Sequence, residues 1–368
     1  MSTGFFWDER CFWHSGGNYA LTAPVGDFVQ PLAAGGLPES PETKRRLKNL
    51  AEVSGLWGEM ATQSADPATR ADLLRVHPEA FLDKFKALSD AGGGELGLRA
   101  PFGPGGYEIA ALSAGLAKAA LFSVLDGECE TAYALSRPPG HHCLPDWQNG
   151  FCLLANIAMA VEAARAAGKA RRVAVLDWDV HHGNGTEAIF YDVADVLTVS
   201  LHQERYYPLD TGRFEDRGTG AGHGANLNIP LPPGTGHRGW TEALRRLALP
   251  TIRAFEPDAI VVACGFDASA FDPLSRMLAT AETFREMTRD TLALAREIAG
   301  GRLVLVHEGG YSEAHVQFCG HAVLEELTGS SRHAADPFGE TLKLRQPNAR
   351  FDAFLDGILD DYAAALGL

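Results

Sequence analysis

A single α/β domain, with a mostly parallel central sheet and helices on both faces, is the fold this sequence predicts. Three observations predict it. Short apolar runs of strand length recur at 132–138, 172–180, 195–202, 258–267 and 302–311. Segments with helical periodicity lie between them, at 106–127, 155–170, 239–257 and 281–301. Polar groups that are costly to bury gather where the apolar runs end. Strands alternating with helices argue a parallel sheet. In such a sheet all strand C-termini share one edge, where ligands bind.

Composition bounds the rest. The chain has 368 residues, 46% hydrophobic and 21% charged, in the range of soluble globular proteins. No repeat, low-complexity tract or linker divides it, so one domain over 1–368 is expected. The apolar stretches are broken by charges before a span of ~20 residues, so no membrane helix is predicted. The start, MSTGFFWDERCFWH, has no basic region followed by an apolar one, and a cytoplasmic location is expected. The cysteines, Cys11, Cys129, Cys143, Cys152, Cys264 and Cys319, form no CxxC pair, which argues against a thiolate metal site or a disulfide framework. The formal charge is −15. Such a chain repels phosphate backbones, which excludes nucleic acid as a partner, and attracts cations.

Taken in order, the first helical segment, 106–127, follows a Gly/Pro-rich surface loop at 96–107. The first strand leads into RPPGHHCLPDWQNGFC (137–152), where a Pro-Pro-Gly turn fixes the tandem His141 and His142. Imidazoles near a metal-bound water suit acid–base catalysis, because their pKa lies near working pH. The second strand runs into LDWDVHHGNGT, with Asp177, Asp179, His181 and His182. Alternation along an extended segment points Asp177, Asp179 and His181 one way and packs Trp178 and Val180 the other. Two carboxylates and an imidazole in a dry site call for a cation. The third strand opens a connection, 202–226, too long to be idle; such loops are usually functional and leave room for a partner copy in a homo-oligomer. In the third helical segment Pro250 predicts a kink. The fourth strand ends in GFDAS, where Asp267 adds a carboxylate. A metal held by Asp179, His181 and Asp267, with an open position for water, matches a catalytic zinc or related divalent ion. The fifth strand ends in EGGY, whose Tyr311 can donate to a developing oxyanion. His14, His77, His223, His237 and His333 have no convergent partners and read as structural or exposed.

These motifs, RPPGHH, NGFC, LDWDVHHGNGT, VSLHQ, GFDAS, DPLSRM and EGGY, resemble those of the zinc-dependent histone deacetylases, closest to the class II-like bacterial histone deacetylase-like amidohydrolases. The resemblance spans nearly the whole chain. It implies the arginase/deacetylase-like α/β fold and hydrolysis of N-acyl amides such as acetyl-lysine. It implies zinc on Asp179, His181 and Asp267, the tandem catalytic His141 and His142, and a catalytic Tyr311. Phe151 and Tyr207 match the walls of an acyl-lysine channel, with tyrosine where many relatives carry phenylalanine, and Gly150 matches its floor. Leu274 falls where polyamine-selective relatives place a polar gatekeeper. Potassium is implied at Asp177, Asp179, His181, Ser200 and Leu201, and a second potassium at Phe190, Val193 and Val196. Asp177 would support His141, and Asn184, an aspartate in class I members, would support His142. A carboxylate stabilises an imidazolium more than an amide does, so His141 is expected to be protonated and His142 to be the general base.

Other chemistries fit less well. A haloacid-dehalogenase-type phosphotransferase would place its Asp pair near the N-terminus and need a later lysine and acidic pair. A binuclear manganese ureohydrolase would need more carboxylates than Trp178, Val180 and Ser269 leave room for. A catalytically dead acyl-lysine-binding module would lack one of the motifs. The nearest rival is an acetylpolyamine amidohydrolase using the same machinery on small acetylated amines.

Overall fold

In the computed structural model, which describes residues 2–26, 29 and 36–368, eight strands form one sheet. They are β1 (Thr3–Phe6), β2 (Met60–Gln63), β3 (Thr131–Ala134), β4 (Val173–Asp177), β5 (Val196–Gln203), β6 (Asn226–Leu231), β7 (Ala259–Cys264) and β8 (Leu303–His307). Their order across the sheet is β6-β5-β4-β7-β8-β3-β1-β2, and every pairing is parallel. The central strands β4, β7 and β8 are buried throughout, as expected of apolar runs covered on both faces. The predicted α/β class is therefore the observed one.

Three strands were not legible as such. β1 and β2 are four residues each and add to one side of the sheet. β6 forms the opposite edge, where Pro230, with no N–H to give a further strand, is tolerated. The predicted kink at Pro250 takes a definite form. Helix His237–Ala243 passes through a π-helical turn, Leu244–Ala248, into Leu249–Phe255, so the helical path widens just before Pro250.

One expectation is corrected. Helix Gly106–Leu125 is long and apolar enough to cross a membrane, because its charges are only Glu108 and Lys118. Two thirds of its most apolar window (67%) is buried inside the protein. It bridges two interior clusters, placing Leu112, Leu116 and Leu121 in one and Ala110, Ala111 and Ala114 in the other.

The strand order reverses between β4 and β7. From β4 the chain steps outward to β5 and β6; from β7 it steps the other way to β8. Such a switch point opens a crevice at the strand C-termini, where open α/β sheets bind ligands. The residues after β4 and β7 are those carrying Asp179, His181 and Asp267.

Behind this edge lies a buried ion cluster. Arg137 Nε donates to Glu39 Oε1 at 3.0 Å, and Lys44 Nζ reaches the same oxygen at 3.2 Å. Arg137 also donates to the Cys11 carbonyl at 2.8 Å, tying the N-terminal segment to the chain that leads into His141. Two cations thus share one carboxylate in the interior. Replacing Glu39 by Ala strands both, and the expected loss is about 3–5 kcal/mol, read as a lower urea midpoint. A loss under about 1 kcal/mol would show that the cluster does not hold the fold.

Candidate metal and active site

The cluster at the switch point is built by turns. β4 ends at Asp177, so strand alternation does not place Asp179 and His181 as the sequence suggested. Instead Asp177 Oδ1 accepts the Asp179 N–H at 3.0 Å, and Asp179 Oδ1 accepts the His181 N–H at 3.0 Å. These two side-chain-to-backbone turns carry the carboxylates and imidazole to one side. Trp178 and Val180 are fully buried on the other, as expected. β7 likewise ends at Cys264, three residues before Asp267, and Asp267 Oδ1 accepts the Val180 N–H at 2.8 Å.

Asp179, His181 and Asp267 converge, with ligand atoms all within 4.8 Å of one another. His181 Nδ1 lies 3.1 Å from Asp179 Oδ1 and 3.0 Å from Asp267 Oδ2. Burial alone would lower the His181 pKa, but the Asp267 and Asp179 carboxylates outweigh it and hold the imidazole well above its usual value. Burial, with Asp179 alongside, lifts Asp267 to about 6. Positive charge is what this donor set asks for, and a divalent cation with two carboxylate oxygens and one nitrogen fits it. The backbone must come close to allow it. A Cβ on Gly309 would lie 2.3 Å from Asp267 Oδ2 and 2.9 Å from the Tyr311 hydroxyl.

The tandem histidines differ in their partners. His141 Nδ1 donates to Asp177 Oδ2 at 2.9 Å. Burial disfavours its charge, yet Asp179 and Asp177 raise its pKa to about 10. His142 Nδ1 lies 2.7 Å from Asn184 Oδ1. An amide oxygen only accepts, so Nδ1 carries the hydrogen and Nε2 keeps a lone pair. Burial, then the neighbouring His141 and His181, push the His142 pKa well down.

His142, His181 and Tyr311 line a cavity of about 240 Å³ together with Gly150, Phe151, Tyr207 and Leu274. The rings of Phe151 and Tyr311 meet edge-on at 5.6 Å, and Tyr207 stands edge-on to His142 at 5.2 Å. Tyr207 Oη donates to Asn149 Oδ1. Gly150 has φ +51°, and a Cβ there would sit 2.4 Å from His142 Cδ2. Burial, then Asp267 and Asp179, raise the Tyr311 pKa well above its usual value, so it stays a phenol and a donor. Some of the residues matched to potassium are neighbours in the sheet and the turn before it. Asp177 and Ser200 are register partners across β4 and β5, with Leu201 next to Ser200. Phe190 ends helix Asn184–Phe190, its carbonyl accepts the Val193 N–H at 3.0 Å, and Val196 opens β5.

Four residues escaped the sequence reading. Glu308 Oε2 accepts the N–H groups of Gly140 and His141 at 2.7 and 3.1 Å, holding the backbone of the tandem histidines. Asp272 Oδ2 accepts the Tyr311 N–H at 2.8 Å. Tyr206 stacks on His181 at 5.6 Å, and Arg99 reaches the cavity from the 96–107 loop. An acidic residue inside an otherwise apolar or glycine-rich motif, as in EGGY and FDPLSRM, was the available signal. Of the histidines read as structural or exposed, His77 joins Pro145 and Ala155 by hydrogen bonds, His14 is buried, His237 is half-buried beside Glu286, and His333 is exposed beside Glu325.

Comparison with known proteins agrees with this edge. The histone deacetylase domain family matches residues 37–327. A histone deacetylase-like amidohydrolase of Pseudomonas aeruginosa is 58% identical over 100% of this chain and 96% of its own length. Histone deacetylase 8 of Arabidopsis thaliana is 37% identical over 89% of each chain. The crystal structure of the HDA15 HD domain superposes with a TM-score of 0.81 at 29% identity, covering 100% of this chain and 99% of that one. The match takes in the whole C-terminal sheet edge from His141 to Tyr311, and so the chain belongs to the histone deacetylase family, as a deacetylase-type amidohydrolase that hydrolyses acetylated amides.

Proposed function

We propose that the chain is a zinc-dependent deacetylase that cleaves acetyl-lysine-type amides to a free amine and acetate. The observation that carries this reading is the Asp179–His181–Asp267 cluster, whose His181 lines a cavity walled by Phe151 and Tyr207. Zinc held by these three residues would polarise the substrate carbonyl and make a water more acidic. The chain's own groups do the rest. His142 Nε2 takes a proton from the attacking water as its oxygen bonds to the carbonyl carbon. His141, charged beside Asp177, stabilises the negative charge that develops on the carbonyl oxygen. The Tyr311 hydroxyl donates to that same oxygen. As the C–N bond breaks, His142 passes its proton to the departing nitrogen.

Potassium belongs to the same proposal, at Asp177, Asp179, His181, Ser200 and Leu201, with a second ion at Phe190, Val193 and Val196. Ser200 supports the first. His202 Nε2 donates to the Gly212 carbonyl at 2.9 Å, so its Nδ1 accepts from Ser200 Oγ at 2.9 Å, leaving the Ser200 lone pairs for a cation. The six cysteines are unpaired and buried, which supports a reducing compartment, the cytoplasm.

The walls favour a slim methylene stem. Burying four methylenes contributes roughly 3 kcal/mol before entropy losses. Leu274 offers nothing to the internal ammonium of a polyamine, and among the described residues the lining holds no carboxylate.

Chelator dialysis is expected to abolish turnover and Zn²⁺ to restore it; full activity in protein free of zinc, iron and cobalt would refute the metal assignment. His142→Ala should lower kcat by roughly 10²–10⁴, and His141→Ala should leave more residual rate. Tyr311→Phe should cost roughly 10²–10³ in kcat with metal content unchanged. Near wild-type turnover by the Phe variant, or a far more damaging His141→Ala, would reverse these roles. In side-by-side assays acetyl-lysine peptides should show higher kcat/KM than acetylspermidine or acetylputrescine, and Leu274→Glu should move the ratio toward the polyamines. A wild-type preference for polyamines would promote the acetylpolyamine amidohydrolase reading.

A further inference from the structure

The mouth of the cavity carries the opposite sign of charge to the chain. The protein has a formal charge of −15, yet the described residues lining the cavity include Arg99 and Arg276 and no carboxylate. Both arginines are exposed. Arg99 belongs to the 96–107 loop, in a left-handed conformation with φ +56°, and its guanidinium lies over the Tyr207 ring at 5.4 Å. Arg276 follows Leu274 by two residues. Its N–H donates to the Gln203 side chain at 2.8 Å, its carbonyl accepts the Gly234 N–H at 2.6 Å, and Nη1 donates to the Ser275 carbonyl at 2.5 Å. Among the described residues neither guanidinium makes an ion pair, although such pairs are frequent elsewhere on the surface. Glu95, just before the loop that carries Arg99, turns its carboxylate onto the Ala100 N–H at 2.8 Å instead.

Each guanidinium is thus held in place while keeping donors free, and a planar fork of donors suits a carboxylate. Screening limits distant charges to about 8–10 Å at ordinary ionic strength, so a substrate at the mouth feels these two groups before the net charge of the whole chain. We infer that Arg99 and Arg276 select acylated amines carrying a carboxylate just beyond the buried stem, and disfavour those flanked by cations. This rests on the acyl-lysine reading above and names its substrate class. The carboxylate has two sources, the α-carboxylate of free Nε-acetyl-lysine or an acidic side chain beside acetyl-lysine in a peptide.

The test measures kcat/KM on acetyl-lysine peptides flanked by Asp, Gln or Lys, and on free Nε-acetyl-lysine against its α-amide, at 50 and 500 mM salt. Wild type, Arg99→Gln, Arg276→Gln and the double variant are compared. At low salt the acidic-to-basic peptide ratio, or the free-acid-to-amide ratio, should be about 3- to 10-fold in the wild type. Whichever ratio responds identifies the source. It should shrink in each single variant and approach one in the double variant and at high salt. Ratios near one in the wild type, or a preference that survives the double substitution, overturn the inference while turnover of the Gln-flanked peptide keeps the deacetylase reading intact. Failure to turn over any acetyl-lysine substrate, with acetylpolyamines cleaved, would instead remove the reading on which the inference stands.

Discussion

The structure turns on keeping two carboxylates, Asp179 and Asp267, side by side in the interior, with Asp177 one turn away. Two like charges 4 Å apart repel by about 4 kcal/mol even at an effective dielectric of 20. Backbone donors and imidazoles around them answer that repulsion. Backbone N–H groups of His181 and Gly309 reach Asp179, that of Val180 reaches Asp267, and that of Asp179 reaches Asp177. Imidazoles stand at His141 and His181. The parallel sheet supplies the place, because its strand order reverses between β4 and β7 and leaves their following turns facing one crevice. The turns supply the aim, and glycines at the closest approaches let the backbone carry its donors inward.

How much of this could be read in the sequence follows from what each residue costs. The central strands were legible to within a few residues, since runs covered on both faces must be apolar from end to end. The outer strands β1, β2 and β6 were not. β1 and β2 are too short to show a period, and β6, Asn226–Leu231, is interrupted by two asparagines and a proline where the central strands are continuously apolar. The cluster was legible because carboxylates and histidines at the ends of apolar runs are expensive there without a purpose. Their common direction does not come from strand alternation, which ends at Asp177; side-chain-to-backbone turns take over there. Glu308 and Asp272 stayed hidden because they act on backbone N–H groups, an interaction with no residue-type partner to recognise in a sequence.

The tandem histidines show how one dipeptide can hold two roles. Their rings lie 4.0 Å apart, too close for both to carry charge in a dry site. The carboxylate of Asp177 decides which one does. Once His141 is charged it depresses His142 further, so the asymmetry reinforces itself. Asn184 then fixes the His142 tautomer without adding charge. A carboxylate at position 184 would pull His142 toward the protonated form and weaken the difference between the two.

The walls of the cavity are tied to its mouth by the same backbone. Gly150 and Phe151 are both left-handed, with φ +51° and +67°, and for Phe151 this is a strained conformation. What holds it is the 96–107 loop: the Leu98 carbonyl accepts the Gly150 N–H at 3.0 Å, and the Arg99 carbonyl accepts the Phe151 N–H at 2.8 Å. Gly97 permits this pairing, since any side chain there would collide with the Gln148 carbonyl. The residue that places a guanidinium over Tyr207 is therefore also the one that braces the ring of Phe151 opposite Tyr311. Rim charge and channel wall are set by one short pairing of loop against loop. A change in its backbone would alter together which amine approaches the cavity and how its stem is held once inside.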